Sequence, residues 1–125
     1  MNAPAKTVLV VDDDPDVRDT LRLVLQHAGY RVVTAASGEE GLRGAAATDP
    51  DAVIVDLMME EVDAGLEFVK SLRLRGAEAP VFMLSSVGNA LSSTVDYAAL
   101  GLAAVLQKPV EPSTLVTILR TRLED

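Results

Sequence analysis

The chain has 125 residues, a formal net charge of −8, 49% hydrophobic residues and no cysteine. That is enough for one domain with its own core, and it excludes a disulfide framework or a thiolate metal site. The acidity opposes direct binding to nucleic-acid phosphates, no apolar run approaches the ~18–20 residues of a membrane helix, and the N-terminus lacks the basic-then-apolar layout of a secretion signal, so a cytoplasmic domain with no membrane contact is expected.

Aromatic residues make up only 3%, which leaves Val, Leu, Ile, Ala and Met to build the core. Residues 7–11 are short, apolar and β-branched, as a strand covered on both faces should be. Asp14-Pro15 then opens a helix, with Asp as N-cap and Pro in the first turn. Val17, Leu21, Val24, Leu25 and Ala28 repeat along one face of it, and Gly29 closes it. A second strand is predicted over 31–35. Ser37-Gly38-Glu39-Glu40 has the form of a capping box and starts a second helix that carries Leu42, Ala45 and Ala46 and stops before Asp49-Pro50. A third strand covers 52–55. A helix over 66–74 turns Phe68, Val69 and Leu72 inward and ends at Gly76. A fourth strand covers 80–84, and residues 89–100 form the weakest helix, carrying the poor helix formers Ser92, Ser93, Thr94 and Val95. Gly101 caps it. A fifth strand covers 103–106, and Pro112 opens the last helix, with Leu115, Ile118, Leu119 and Arg122 on one face.

Strands alternating with helices in this way imply a doubly wound α/β domain: a parallel sheet with helices on both faces and right-handed crossovers. No repeat, linker or low-complexity tract divides the chain, so residues 1–125 read as a single domain. Polar groups stand at the C-terminal ends of four strands: Asp12-Asp13-Asp14, Asp56, Ser85 and Lys108-Pro109. In an open parallel sheet those ends share one edge, and that edge binds ligands. Clustered carboxylates need a counter-charge, and an all-oxygen donor set suits a hard ion such as Mg²⁺. A carboxylate can also take a phosphoryl group as an aspartyl phosphate. An ammonium such as Lys108 and a hydroxyl such as Ser85 suit the phosphoryl oxygens. His27, at the end of the first helix, suits the helix dipole rather than catalysis.

Taken together, the acidic pair, the lone Asp56, Ser85 and Lys108-Pro109, each following a strand in this order, resemble the receiver domain of two-component response regulators. The resemblance covers the whole chain. It implies the CheY-like, flavodoxin-like (βα)5 fold, a five-stranded parallel sheet of order 2-1-3-4-5. It implies that Asp12 and Asp13 hold Mg²⁺ together with Asp56 and the backbone carbonyl of Met58. It makes Asp56 the phosphoacceptor, Ser85 the switch hydroxyl and Lys108 the phosphoryl-binding lysine, joined to Pro109 by a cis bond. The implied function is phosphorelay signalling. A sensor histidine kinase or phosphotransfer protein donates the phosphoryl group, and a downstream protein target or a dimer formed on phosphorylation reads the change. Such a domain is not a metabolic enzyme; it catalyses only its own phosphorylation and slow dephosphorylation.

Three places depart from the family pattern. After Asp56 the family commonly reads Asp-x-x-Met-Pro, two residues, then Asp-Gly; here Glu60 replaces the proline and Gly65 arrives one residue late. Val105 stands where a Tyr or Phe usually precedes the lysine by three residues, and Val110 follows Lys-Pro in place of Phe. Ser86 follows the switch hydroxyl in place of Ala or Gly. Two rival readings share the residues. A haloacid-dehalogenase-type phosphatase would use Asp12-Asp13-Asp14 as an Asp-x-Asp motif and leave Asp56 without a role; a pseudo-receiver would bind partners without phosphorylation. The lack of a Gly-rich loop after the first strand argues against a nucleotide-binding Rossmann domain.

Overall fold

The computed structural model describes residues 5–57, 64–85 and 102–123. The helix expected over 89–100 and its Gly101 cap, the Met58 carbonyl, Glu60–Asp63 and Ser86 lie outside the described residues. Within them the order is β1 (Thr7–Val11), α1 (Pro15–His27), β2 (Arg31–Ala35), α2 (Gly38–Thr48), β3 (Ala52–Asp56), α3 (Ala64–Leu74), β4 (Val81–Ser85), β5 (Leu102–Gln107) and α4 (Pro112–Leu123). The strands form one five-stranded sheet of order β2-β1-β3-β4-β5, and every pairing is parallel. This is the order that the resemblance implies.

Alternation along the strands divides the core into two layers. Leu9, Val11, Val53, Val55, Val81 and Met83 pack on one face against Phe68, Val69 and Leu72 of α3, with Leu42 and Ala45 of α2 beside them. Val8, Val10, Ala52, Ile54, Phe82 and Leu84 pack on the other against Leu21 and Leu25 of α1 and Leu115 and Leu119 of α4. Burial on both sides explains why residues 8–11, 52–55 and 81–84 of β1, β3 and β4 are apolar without interruption.

The helix signals act as read from the sequence. Asp14 caps α1 by accepting from the Asp16 N–H at 2.9 Å. Ser37 accepts from the Glu40 N–H at 3.1 Å. Glu40 reaches back to the Ala36 N–H at 3.0 Å, one residue before the capping box would place it. Gly29 and Gly76 take positive φ, 102° and 89°, which reverses the chain after α1 and α3 at little steric cost. Ala46 on α2 and Arg122 on α4 are exposed, while Leu115 and Leu119 of α4 are buried. Strands β3 and β4 each run one residue further than expected, so Asp56 and Ser85 are the last strand residues rather than the first loop residues.

Candidate functional site

Register brings the carboxylates together. Val10 pairs with Ile54 and Val11 with Val55, so one step further along the same parallel pair sets Asp12 beside Asp56. Carboxylate oxygens of Asp12, Asp13 and Asp56 lie within 4.8 Å of one another. Asp12 and Asp56 are almost fully buried, at 1% and 7% exposure, whereas Asp13 is exposed.

Lys108 arrives from the end of β5. Its N–H donates to the Ser85 carbonyl at 2.7 Å, which continues the β4–β5 ladder past Gln107. From there its ammonium Nζ reaches Oδ2 of Asp56 at 3.0 Å and Oδ2 of Asp12 at 3.3 Å. The Lys108–Pro109 bond is cis, as expected. Ser85 ends β4 with its residue 3% exposed. It is thus tied to the lysine by its carbonyl and is set at the same sheet edge as Asp56, whose strand partner is Leu84.

Burial pushes the Asp12 carboxyl above its ordinary range; the Asp14 N–H, donating to Oδ1 at 2.9 Å, and the Lys108 charge counter this only in part, and the neighbouring Asp56 adds to it. Burial alone would depress the Lys108 ammonium, but the hydrogen bond to Asp56 and the charges of Asp12 and Asp56 outweigh it and hold its pKa above the ordinary lysine value. The cluster is therefore a net-acidic pocket with one cation already inside it.

An all-oxygen donor set of three carboxylates fits a hard divalent cation rather than a soft one. Asp14 is directed elsewhere: its side chain is spent on the α1 cap, and the grouped oxygens belong to Asp12, Asp13 and Asp56. His27 is exposed in the last turn of α1, a helix length of about 20 Å from Asp14.

One contact, and the reason for one displaced glycine, escaped the sequence reading. Arg18 donates from Nη1 to the Asp12 carbonyl at 2.7 Å. Gly65 packs directly on the strand end: its N–H donates to the Leu57 carbonyl at 2.9 Å, and a Cβ there would collide with the Asp56 carbonyl oxygen and come within 2.7 Å of Leu57 Cα. Gly65, the displaced glycine, therefore sits directly against the backbone of Asp56 and Leu57. Val105, at the position of the usual aromatic, is 38% exposed on β5.

A family model described as "Response regulator receiver domain" matches residues 8–120. The alkaline phosphatase synthesis transcriptional regulatory protein SphR of Synechococcus elongatus is 35% identical over 97% of this chain and 50% of its own length. The response regulator MprA of Mycobacterium ulcerans is 37% identical over 94% of this chain and 52% of its own. The chain thus spans about half the length of these curated relatives. The solved structure of the chemotaxis protein CheY4 of Vibrio cholerae superposes with a TM-score of 0.83 at 35% identity, covering 96% of this chain and 99% of that one. With this match over nearly all of its length, and the sheet order and clustered sheet-edge groups described above, the chain belongs to the response regulator receiver domain family.

Proposed function

We propose that the chain is a single receiver domain that accepts a phosphoryl group on Asp56 in an Mg²⁺-dependent transfer from a phosphohistidine of a sensor kinase or phosphotransfer protein. The observation that carries this reading is the bridge from Lys108 to both Asp56 and Asp12 beside a three-carboxylate cluster. Asp12, Asp13 and Asp56 would hold the ion; the Met58 carbonyl, expected as a further ligand, lies outside the described residues. When bound, Mg²⁺ supplies counter-charge for the phosphoryl oxygens.

The residues divide the work. Oδ of Asp56 forms the new O–P bond as the N–P bond of the donor breaks and its electron pair returns to the imidazole nitrogen. The ammonium of Lys108, already within 3.0 Å of Asp56, offsets charge on the acceptor and then on the phosphoryl group. Ser85 donates its hydroxyl to a phosphoryl oxygen. Because the Lys108 N–H is bonded to the Ser85 carbonyl, these two groups respond to the phosphoryl group together. That favours one of two conformations, a population shift read by a downstream protein or by dimerisation. The domain turns over nothing but its own acyl phosphate, which it hydrolyses slowly, and it acts in the cytoplasm. Val105 in place of an aromatic directs the readout away from the usual aromatic rotation.

Incubation with acetyl phosphate and Mg²⁺, followed by intact mass, tests the reading. It requires one added phosphoryl group that is absent in EDTA and absent in Asp56→Asn. Equal labelling of wild type and Asp56→Asn favours the phosphatase-like use of Asp12, and no labelling of either favours a pseudo-receiver.

A further inference from the structure

We infer that Arg18 is a positioning residue for the carboxylate pair, a role that rests on the Mg²⁺ reading above. Arg18 is half-buried in α1, six residues beyond Asp12, and its Nη1 reaches the Asp12 carbonyl at 2.7 Å, the short end of the range for a charge-assisted bond. With that bond every polar atom of Asp12 is held. Its N–H donates to the Ala35 carbonyl at 3.1 Å. Oδ1 accepts from the Asp14 N–H at 2.9 Å, and Oδ2 from Lys108 at 3.3 Å.

The bonded carbonyl belongs to the peptide that joins Asp12 to Asp13. That peptide is planar, so fixing its oxygen fixes the direction in which the chain leaves for the Asp13 Cα. Asp13 is exposed, yet its carboxylate stands within 4.8 Å of those of Asp12 and Asp56. The guanidinium therefore fixes one of the torsions, ψ of Asp12, that place Asp13 relative to its partners. A planar, permanently charged donor group suits this task.

The sign of the effect separates positioning from plain electrostatics. A cation beside a cation site repels the incoming ion, so removing an Arg that acted only through its charge would tighten Mg²⁺ binding. Removing an Arg that holds the ligands in place weakens it, in the manner of other outer partners of metal ligands.

The test is calorimetric titration of Mg²⁺ into wild type, Arg18→Ala and Arg18→Lys, together with amide hydrogen exchange of Asp13 and Asp14 by NMR in EDTA. We expect Arg18→Ala to bind Mg²⁺ about tenfold more weakly and its Asp14 amide to exchange about tenfold faster without metal. Arg18→Lys, which keeps a donor of similar reach, recovers part of both and serves alone if the Ala variant does not fold. Mg²⁺ binding by Arg18→Ala as tight as wild type or tighter, or unchanged Asp14 exchange, overturns the inference. Failure of wild type itself to bind Mg²⁺ overturns the metal reading instead, and the exchange arm, run without metal, still decides whether Arg18 holds Asp12.

Discussion

The ammonium of Lys108 stands 3.0 Å from Oδ2 of Asp56 across 52 residues of sequence, and the same nitrogen reaches Oδ2 of Asp12 at 3.3 Å. It is a counter-ion to both carboxylates, held there because the β4–β5 ladder continues through the Lys108 N–H to the Ser85 carbonyl.

Replacing Lys108 by Ala leaves two buried carboxylates facing each other without that cation. Breaking a fully buried pair costs ~3–5 kcal/mol; the Lys108 side chain is 22% exposed, so the expected loss is about 2 kcal/mol. The deficit is expected in EDTA and should shrink in saturating Mg²⁺, whose binding stabilises only the folded state. Urea unfolding in the two buffers reads both numbers, and the same variant is expected to bind Mg²⁺ more tightly because its competitor is gone.

The Asp12 carboxyl is held above its ordinary range by burial, despite Lys108. The sign for stability follows from linkage. Between the unfolded and the raised folded pKa the folded state binds more protons, so this group's contribution falls as pH rises through that window. In EDTA at neutral pH, Asp12→Asn is therefore expected to raise the melting temperature and to flatten its fall as pH rises from the ordinary carboxylate value of 3.8 toward neutral, while losing Mg²⁺ binding. Thermal melts across that range check it; a lower melting temperature for Asp12→Asn at neutral pH would contradict it.

Gly65→Ala forces a methyl against the Asp56 carbonyl and Leu57 Cα. These are backbone atoms at the end of a central strand and cannot turn aside. The expected cost is about 3 kcal/mol, the upper end for overpacking, with slower labelling of Asp56 in the remaining folded protein. Urea midpoints and the rate of mass gain measure the two effects.

Gly44→Ala is the opposite case. Gly44 lies inside α2, and its added Cβ would meet Leu9 Cδ1 at 3.4 Å and Val33 Cγ1 at 3.8 Å, ordinary contact distances. Alanine is the better helix former, so the protein should gain about 0.5–1 kcal/mol, read as a higher urea midpoint with unchanged phosphorylation.

Much of this was legible in the sequence because the signals were local. Doubly buried strands gave continuous apolar runs, Asp14-Pro15 and Ser37 marked helix starts, and a charged or hydroxyl residue after each run marked the functional edge. Asp12, Asp56 and Lys108 could be brought together on topology alone. The features that were hidden depend on distances across the fold. Arg18 reads as an ordinary helix residue, and only the turn from Asp12 into α1 brings its guanidinium to a carbonyl six residues back. Gly65 was visible as a displaced glycine, but its reason, the close approach of α3 to the Asp56 carbonyl, needs coordinates.

The central claim is that Asp56, and not a member of the acidic triplet, receives the phosphoryl group. Phosphorylation with acetyl phosphate and Mg²⁺, followed by borohydride reduction and peptide mapping, converts the acylated aspartate to homoserine and so locates it. The account predicts homoserine at position 56 alone, dependent on Mg²⁺; homoserine at position 12 or 13, or none at any position while the protein remains folded, would contradict it.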